Sequence, residues 1–430
     1  MKKLLYLAIC IPFIAIAQDK GIKFEQNLTW EEIIGKAKAK NKFVFVDCYA
    51  TWCGPCKFMD KDIYPKDSVG GYMNDHFISV KMQMDSSTQD SEDIKQMYST
   101  AHYIQEKYGI NTYPTYLFLS PVGEIVHRGL GAKQIGDFLS LAANAVDTNF
   151  QFYTLLNAYQ SHKKNYTIMP YLAKQARAFH DIKLSEEIAY DYMRNYVEKS
   201  DNKDIFTKEI FDFIGLFYRL IKYKDKIFKL YLDNPDKIDS VMNNKGYARR
   251  YVDYVIYHEE IAPKINDPEI NESEPRWSKI SHAIRMKYGK DYVCKNILQA
   301  KVEWYEYKKK WKGYTKYLVK QVEQKGIENT QPNFFGKLYL NNSAFEIFKY
   351  SSNKRELKKA LTWINLALSM SSEPYFYGMD TKANILYKLG RKADGIALES
   401  KAASLAPKNK DIQNAFEKMK NGLPTWPTEL

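Results

Sequence analysis

The sequence predicts a mixed α/β domain joined to a longer all-helical region. Three observations carry this. Residues 24–147 alternate strand and helix signals, no strand pattern survives beyond about Phe150, and a helical pattern near the C-terminus recurs after 35 residues. A chain of 430 residues exceeds one ordinary domain, so two or three are expected.

The elements follow in order. Thr29-Trp30-Glu31-Glu32 is a capping box, with Thr29 as N-cap and Glu32 three residues on, and it opens a helix to about Lys40. Phe43 to Tyr49 reads as an apolar strand. Cys53 to about Ile63 reads as a helix stopped near Pro65. Phe77 to Met84 alternates as a second strand, and residues 91–108 read as a helix. Thr115 to Leu119 is a strand, turned back by Ser120-Pro121-Val122-Gly123 into a strand from Glu124 to Arg128. Gln134 to Val146 closes the domain as a helix. The order is β-α-β-α-β-β-α behind a leading helix, which predicts one mixed sheet with helices on both faces.

From about Phe150 the chain is rich in Tyr and Lys at helical spacing. Pro170, Pro235, Pro263, Pro268, Pro275 and Pro332 fall between helical stretches, and Asn266 to Glu274 reads as an inter-helix loop. Ala360-Leu361, Ala367-Leu368 and Met370 recur as Gly395-Ile396, Ala402-Ala403 and Leu405, with Ala383, Tyr387, Leu389-Gly390 and Pro407 completing the second copy. Small residues on one helix let its partner approach closely. The pattern resembles the tetratricopeptide repeat, a helix-turn-helix unit of about 34 residues. The copy at 376–407 matches better than that at 341–372, which has Ser372 in place of the proline. The expected division is a signal peptide at 1–17, the α/β domain at 18–148, a helical region of unassigned type at 149–340, and repeat-like helices at 341–420.

Met1-Lys2-Lys3, the apolar stretch Leu4 to Ile16 and Ala15-Ile16-Ala17 have the form of a secretory signal cut near Ala17-Gln18. The stretch is short for an uncleaved anchor, and no internal run reaches the roughly 18 apolar residues of a membrane helix. Ile9 before Cys10 argues against lipid attachment. The expected location is the periplasm or cell envelope. The net charge of +13 is uneven: residues 19–147 carry 14 Lys and Arg against 17 Asp and Glu, and residues 148–430 carry 48 against 34. A basic helical region in an exported chain fits anionic envelope polymers, acidic proteins or plain solubility, and nucleic acid is not expected as a partner.

Four cysteines remain in the mature chain, Cys48, Cys53, Cys56 and Cys294, too few for a disulfide-stapled scaffold. Cys53 and Cys56 stand three apart at the start of a helix. There they can form and break a small-ring disulfide, and the helix N-terminus stabilises a thiolate. Cys53 is therefore the candidate attacking thiol and Cys56 the resolving one, with Cys53 exposed and Cys56 shielded. Cys48 on its strand and Cys294 on a helix read as packed small side chains. The seven histidines make no zinc spacing with cysteine, Lys57 occupies the position of a haem-attachment histidine, and no phosphate loop or Ser-His-Asp set occurs. No metal or cofactor is expected. Trp304 to Trp311 reads as core aromatics with a lysine-rich wet face, or else as a binding surface.

Trp52-Cys53-Gly54-Pro55-Cys56-Lys57 reproduces the active-site signature of the thioredoxin superfamily, which residues 24–147 resemble. Asp47 stands where that family keeps a buried acid, and Lys81 where it has a lysine near that acid. Lys107-Tyr108-Gly109-Ile110 followed by Tyr113-Pro114-Thr115 matches the segment carrying its cis-proline. Gly129 or Gly131 matches a later glycine. The resemblance implies a thioredoxin-like fold and thiol–disulfide exchange on client proteins. Asp47, its pKa raised by burial and moderated by Lys81, would accept the Cys56 proton. Trp52, Gly54, Pro55, Tyr113 and Pro114 would contact an extended client segment. The stretch Asp85 to Gln105 exceeds its counterpart in a minimal thioredoxin, which predicts an extended helix there.

The primary reading is an exported reductase of client disulfides, drawing electrons from a membrane thiol donor, with the helical region docking donor or clients. Two alternatives stay open: an oxidase or isomerase using the same residues, and an adaptor or chaperone in which the α/β domain serves only recognition.

Overall fold

The computed structural model describes residues 21–265, 273–326, 333–371 and 373–428. The expected signal peptide and its cleavage point, Cys10, Pro268 and most of the Asn266–Glu274 loop, Pro332 and Ser372 lie outside the described residues. Two compact units form: 21–205 with Asp212–Leu220, and Phe206–Phe211 with 221–428.

The first unit is built on a four-stranded sheet. Helix α1 (Trp30–Lys40) starts at the Thr29 capping box. Strand β1 (Phe43–Tyr49) runs into α2 (Gly54–Phe58), which continues as a π-helical turn over Met59–Ile63. A further helix, α3 (Asp67–His76), precedes β2 (Phe77–Gln83). This helix was not anticipated, because Gly70 and Gly71 depress helix propensity. The structure shows the reason for one of them: a Cβ on Gly70 would overlap the backbone of Gly21. The single helix expected over 91–108 is two, α4 (Glu92–Gln96) and α5 (Tyr98–Tyr108), broken at Met97. Strands β3 (Thr115–Leu119) and β4 (Ile125–Leu130) and helix α6 (Ile135–Val146) complete the α/β part.

The strand order is β2-β1-β3-β4, with β1 parallel to β2 and antiparallel to β3. Central β1 alternates between two cores. Val44, Val46 and Cys48 face a cluster with Ile33 and Ala37 of α1 and Ala101 and Ile104 of α5. Phe45 faces the other, with Met59, Ile63, Tyr64, Val69, Met73, Tyr116, Phe118 and Phe138. Phe45 is fully buried and its ring lies 5.3–6.5 Å from those of Phe118, Phe138, Tyr116, Phe24 and Phe77. Both faces are thus covered, as an apolar central strand requires.

The first unit does not end at α6. Helix α7 (Phe152–Gln160) packs on β4, and α8 (Met169–Ala178) and α9 (Ile182–Asn195) follow. The Phe152 N–H donates to Nδ1 of buried His127 at 3.1 Å, and the Phe152 ring meets Phe179 at 4.9 Å. Burial pushes the His127 imidazole down to about 4, so it accepts this bond as the neutral ring.

The second unit is all helical. Its later helices pair in sequence: Val293–Tyr307 with Trp311–Lys325, Phe334–Tyr350 with Lys354–Ser369, and Phe376–Lys388 with Lys392–Leu405, followed by Lys410–Lys420. Leu340, Ala344, Ile347, Leu357, Ala360, Trp363 and Ile364 form its main core. A Cβ on Gly395 would sit 2.9 Å from the Ala383 carbonyl and 3.0 Å from Tyr387, so the last pair approaches closely only because that residue is glycine. Trp304 is buried, Trp311 stacks on Tyr350 at 3.9 Å, and Tyr307 is exposed. Cys294 is exposed rather than packed, because it stands on the first turn of its helix, before the buried stripe begins at Asn296. Among the described residues no helix is long and apolar enough to cross a membrane.

Glu399 is fully buried on the Lys392–Leu405 helix, against Asp380 of the preceding one. Burial first, then the Asp380 charge, raises its carboxyl above the ordinary value of 4.5. A raised carboxyl stabilises the fold fully below that value, and the contribution is lost as pH rises toward the folded value. Glu399→Gln should therefore stabilise the helical unit at pH 8, by on the order of 1–3 kcal/mol, and by little at pH 4. Denaturation at both pH values checks this, with an equal effect at each excluding the ionisation account.

Candidate active site

The site forms where β1 gives way to α2. The Cys53 N–H donates to the Ala50 carbonyl at 3.0 Å, and Cys53 caps α2 through its own sulfur, which accepts from the Cys56 N–H at 3.0 Å. Pro55 lies in the first turn, where its missing N–H is no loss. Cys53 and Cys56 form a disulfide of 2.08 Å with Cα atoms 5.3 Å apart. The Thr51 N–H donates to Asp85 at 3.0 Å, which ties the approach loop to the end of β2.

Cys53 does not project into solvent in this disulfide form. It is 2% exposed and Cys56 3%, because the sulfurs cover one another and Ala50, Tyr49 and Tyr113 pack around them. The exposed neighbour is Trp52, at 70%. Its ring meets Tyr113 edge-on at 5.8 Å, and the Tyr113 hydroxyl accepts from Gln105 at 2.9 Å. The Tyr113–Pro114 bond is cis, and the Pro114 carbonyl accepts from the Gly131 N–H at 2.8 Å. Gly54 and Pro55 are exposed beside the disulfide.

Sheet register assembles the acid. Asp47 pairs with Lys81 across to β2 and with Tyr116 across to β3, so all three side chains share the face that carries Phe45. Asp47 is 1% exposed. The Lys81 ammonium lies 3.9 Å from Asp47 Oδ2, and it is bonded more closely to Asp60. Burial pushes the Asp47 carboxyl up to about 7; Lys81 opposes the rise, Asp60 adds to it and Tyr64 opposes it. Cys48 points to the other face, where burial raises its thiol well above its ordinary value. Among the described residues no three His, Cys, Asp or Glu side chains gather at a metal-sized site.

The sequence model of the family Thioredox_DsbH, described as a protein of unknown function (DUF255), matches residues 12–134. Thioredoxin H1 of Arabidopsis thaliana is 30% identical over 106 residues, which span 25% of this chain and 76% of that protein. The chain belongs to the thioredoxin superfamily. Thioredoxin H4 of the same plant is 27% identical over 120 residues, covering 28% of this chain and 86% of its own. A solution structure of a candidate disulphide-isomerase from Bacteroides thetaiotaomicron aligns at 34% identity over 31% of this chain and 98% of its own, with a TM-score of 0.26. A DsbH oxidoreductase structure aligns at 15% identity over 34% of this chain and 94% of its own, with the same TM-score. The chain is thus of a thiol-disulfide oxidoreductase family and carries the Cys53–Cys56 disulfide in its thioredoxin-like part.

Sequence reasoning missed several groups around the thioredoxin domain's buried acid. Asp60 holds Lys81, and Tyr64 and Tyr116 bury their hydroxyls near Asp47. Asp60 was legible in principle, since it follows Cys56 by four residues on an expected helix. Tyr116 requires the strand register. The added stretch after β2 opens as a loop closed on Asp90, which accepts from the Ser87 N–H at 2.7 Å and the Gln83 amide at 2.8 Å, and continues as α4 and α5 rather than as one extended helix.

The Asp47 carboxyl is raised from 3.8 to about 7. Its contribution to stability is complete below 3.8 and is lost as pH rises through about 7. Asp47→Ala should thus stabilise the domain at pH 8, by on the order of 2–4 kcal/mol, and much less at pH 4. Chemical denaturation at the two pH values reads this. A variant less stable than wild type at pH 8 would contradict it.

Proposed function

We propose that this protein is an exported reductase of protein disulfides. The observation that carries the reading is the Cys53–Cys56 pair at a helix N-terminus, just beyond the central strand that buries the acid Asp47. In the reduced enzyme the Cys53 thiolate attacks one client sulfur. A Cys53–client mixed disulfide forms, and the other client sulfur leaves as a thiolate. Cys56 then gives its proton to the Asp47 carboxylate, and its thiolate attacks Cys53 Sγ. The Cys53–Cys56 disulfide forms and the client's second thiolate is released. The client gains two electrons and the enzyme is oxidised by two.

Asp47 suits the transfer because a carboxyl held near 7 exchanges protons at neutral pH. Trp52, Gly54, Pro55, Tyr113 and Pro114 give an extended client segment its contacts beside the disulfide. Turnover in an oxidising envelope requires a membrane thiol donor to return the electrons. The helical unit, with tetratricopeptide-like pairs at 341–420, docks that donor or the clients, and the basic charge of residues 148–430 favours acidic surfaces. The form of residues 1–17 supports export to the periplasm or envelope.

Cys53→Ser should abolish insulin-disulfide reduction by the full chain, and Cys56→Ser should accumulate a Cys53 mixed disulfide that identifies the clients. Full reductase activity in Cys53→Ser would sink the mechanism. Normal cellular function of a Cys53→Ser, Cys56→Ser double variant would favour an adaptor.

A further inference from the structure

One ammonium stands between two carboxylates on the Phe45 face of the sheet. Lys81 is 27% exposed, Asp47 2% and Asp60 40% by side chain, and the ammonium is seated on the outer acid, leaving 3.9 Å to the inner one. Three rings hold it there: it lies 4.8 Å from the centre of Tyr49, 5.6 Å from Phe24 and 5.8 Å from Tyr64. Asp60 reaches this point from the π-helical turn Met59–Ile63, while Met59 and Ile63 of the same turn are buried.

We propose that Asp60 is a positioning residue, which draws the Lys81 ammonium to the rim of the sheet and so leaves Asp47 free to take and return the Cys56 proton. The proposal rests on the reading of Asp47 as the proton acceptor of Cys56. The groups facing Asp47 are Lys81 from β2, Tyr116 from β3, Tyr49 from β1, and Asp60 and Tyr64 from the α2 extension and the turn that ends it. Lys81 is the cation among them. Seated fully on Asp47, it would fix that group as a carboxylate, which accepts a proton weakly. Removed altogether, it would leave burial to hold Asp47 protonated, with no capacity for the Cys56 proton. Seated on Asp60, it leaves the acid poised between the two states. Asp60 thus acts through Lys81 and touches neither sulfur in this scheme.

The test titrates Asp47 directly in the reduced full-length protein, by the infrared band of its protonated carboxyl, assigned by its loss in Asp47→Ala. In Asp60→Asn the ammonium is released toward Asp47, and the titration should move about one unit to lower pH, a tenfold loss of proton affinity. Lys81→Met should move it upward. In the Lys81→Met background, Asp60→Asn should move it by less than half as much, because the two act as one unit. Asp60→Glu should restore the wild-type value, and Asp60→Ala repeats the Asn result if that variant folds poorly. An unmoved titration in both neutral variants would overturn the proposal, as would equal shifts with and without Lys81. The infrared readout needs no client, so a protein that reduces nothing would defeat the reductase reading while leaving this measurement decisive. Where the reductase reading holds, the acid limb of mixed-disulfide resolution should move with the titration.

Discussion

A carboxyl placed in the middle of a central β-strand has nowhere to go. Asp47 lies on the Phe45 face of β1, and its neighbours on both sides are fixed by hydrogen-bonded register rather than by flexible loops. Its flanking positions are therefore as rigid as the sheet. Water is excluded by the aromatic cluster around Phe45 and by the α2 extension, so ionisation of Asp47 is governed by its few neighbours. One lysine at 3.9 Å is too distant to cancel the desolvation. The rest of the first unit supports this arrangement: the helices of one face seal the acid in, and β1 ends two residues beyond it, before the loop that delivers Cys53.

The two faces of β1 divide the labour. The α1 and α5 side is aliphatic, closed by Val44, Val46, Ile78 and Leu117, and it takes Cys48 as one more small side chain. The opposite side is aromatic and carries Asp47 with the Tyr64 and Tyr116 hydroxyls. Tyrosines suit such a layer because each brings a large apolar ring and one hydroxyl. The aromatic contacts of Phe45 offset what a buried acid and two buried hydroxyls cost the fold. That is a reason for the Asp47 face to be richer in rings than the face behind it.

Much of the α/β unit was legible because its signals are local. The Thr29 capping box, the apolar run Phe43–Tyr49 and the turn after Leu119 each specify an element within a few residues. The signature around Cys53 likewise singles out Asp47 and Lys81 by their spacing to it. What failed to show depended on distant partners. Helix α3 carries a glycine at position 70 because the backbone of Gly21, far away in sequence, leaves no room there for a side chain. Cys53 is covered by residues of the β3 approach as much as by its own loop. Cys294 is exposed because the buried stripe of its helix starts later than composition indicates. The helical stretch after residue 148 gave no sign that its first helices would close over β4, since a histidine acceptor for Phe152 has no pattern in one dimension.

Asp60 illustrates how such distant dependence turns into chemistry. In sequence it is one more acid, one helical turn after Cys56. On the turn that follows, Met59 and Ile63 are buried while Asp60 stays at the rim within reach of β2. The same turn therefore serves packing and charge placement together. A redox pair flanked by a buried acid needs its compensating cation near but not bound too tightly. A second carboxylate on the covering helix achieves this without any change to the strands. Control over the acid is thus moved from the invariant geometry of the sheet to a helix turn, where a single exposed side chain adjusts it.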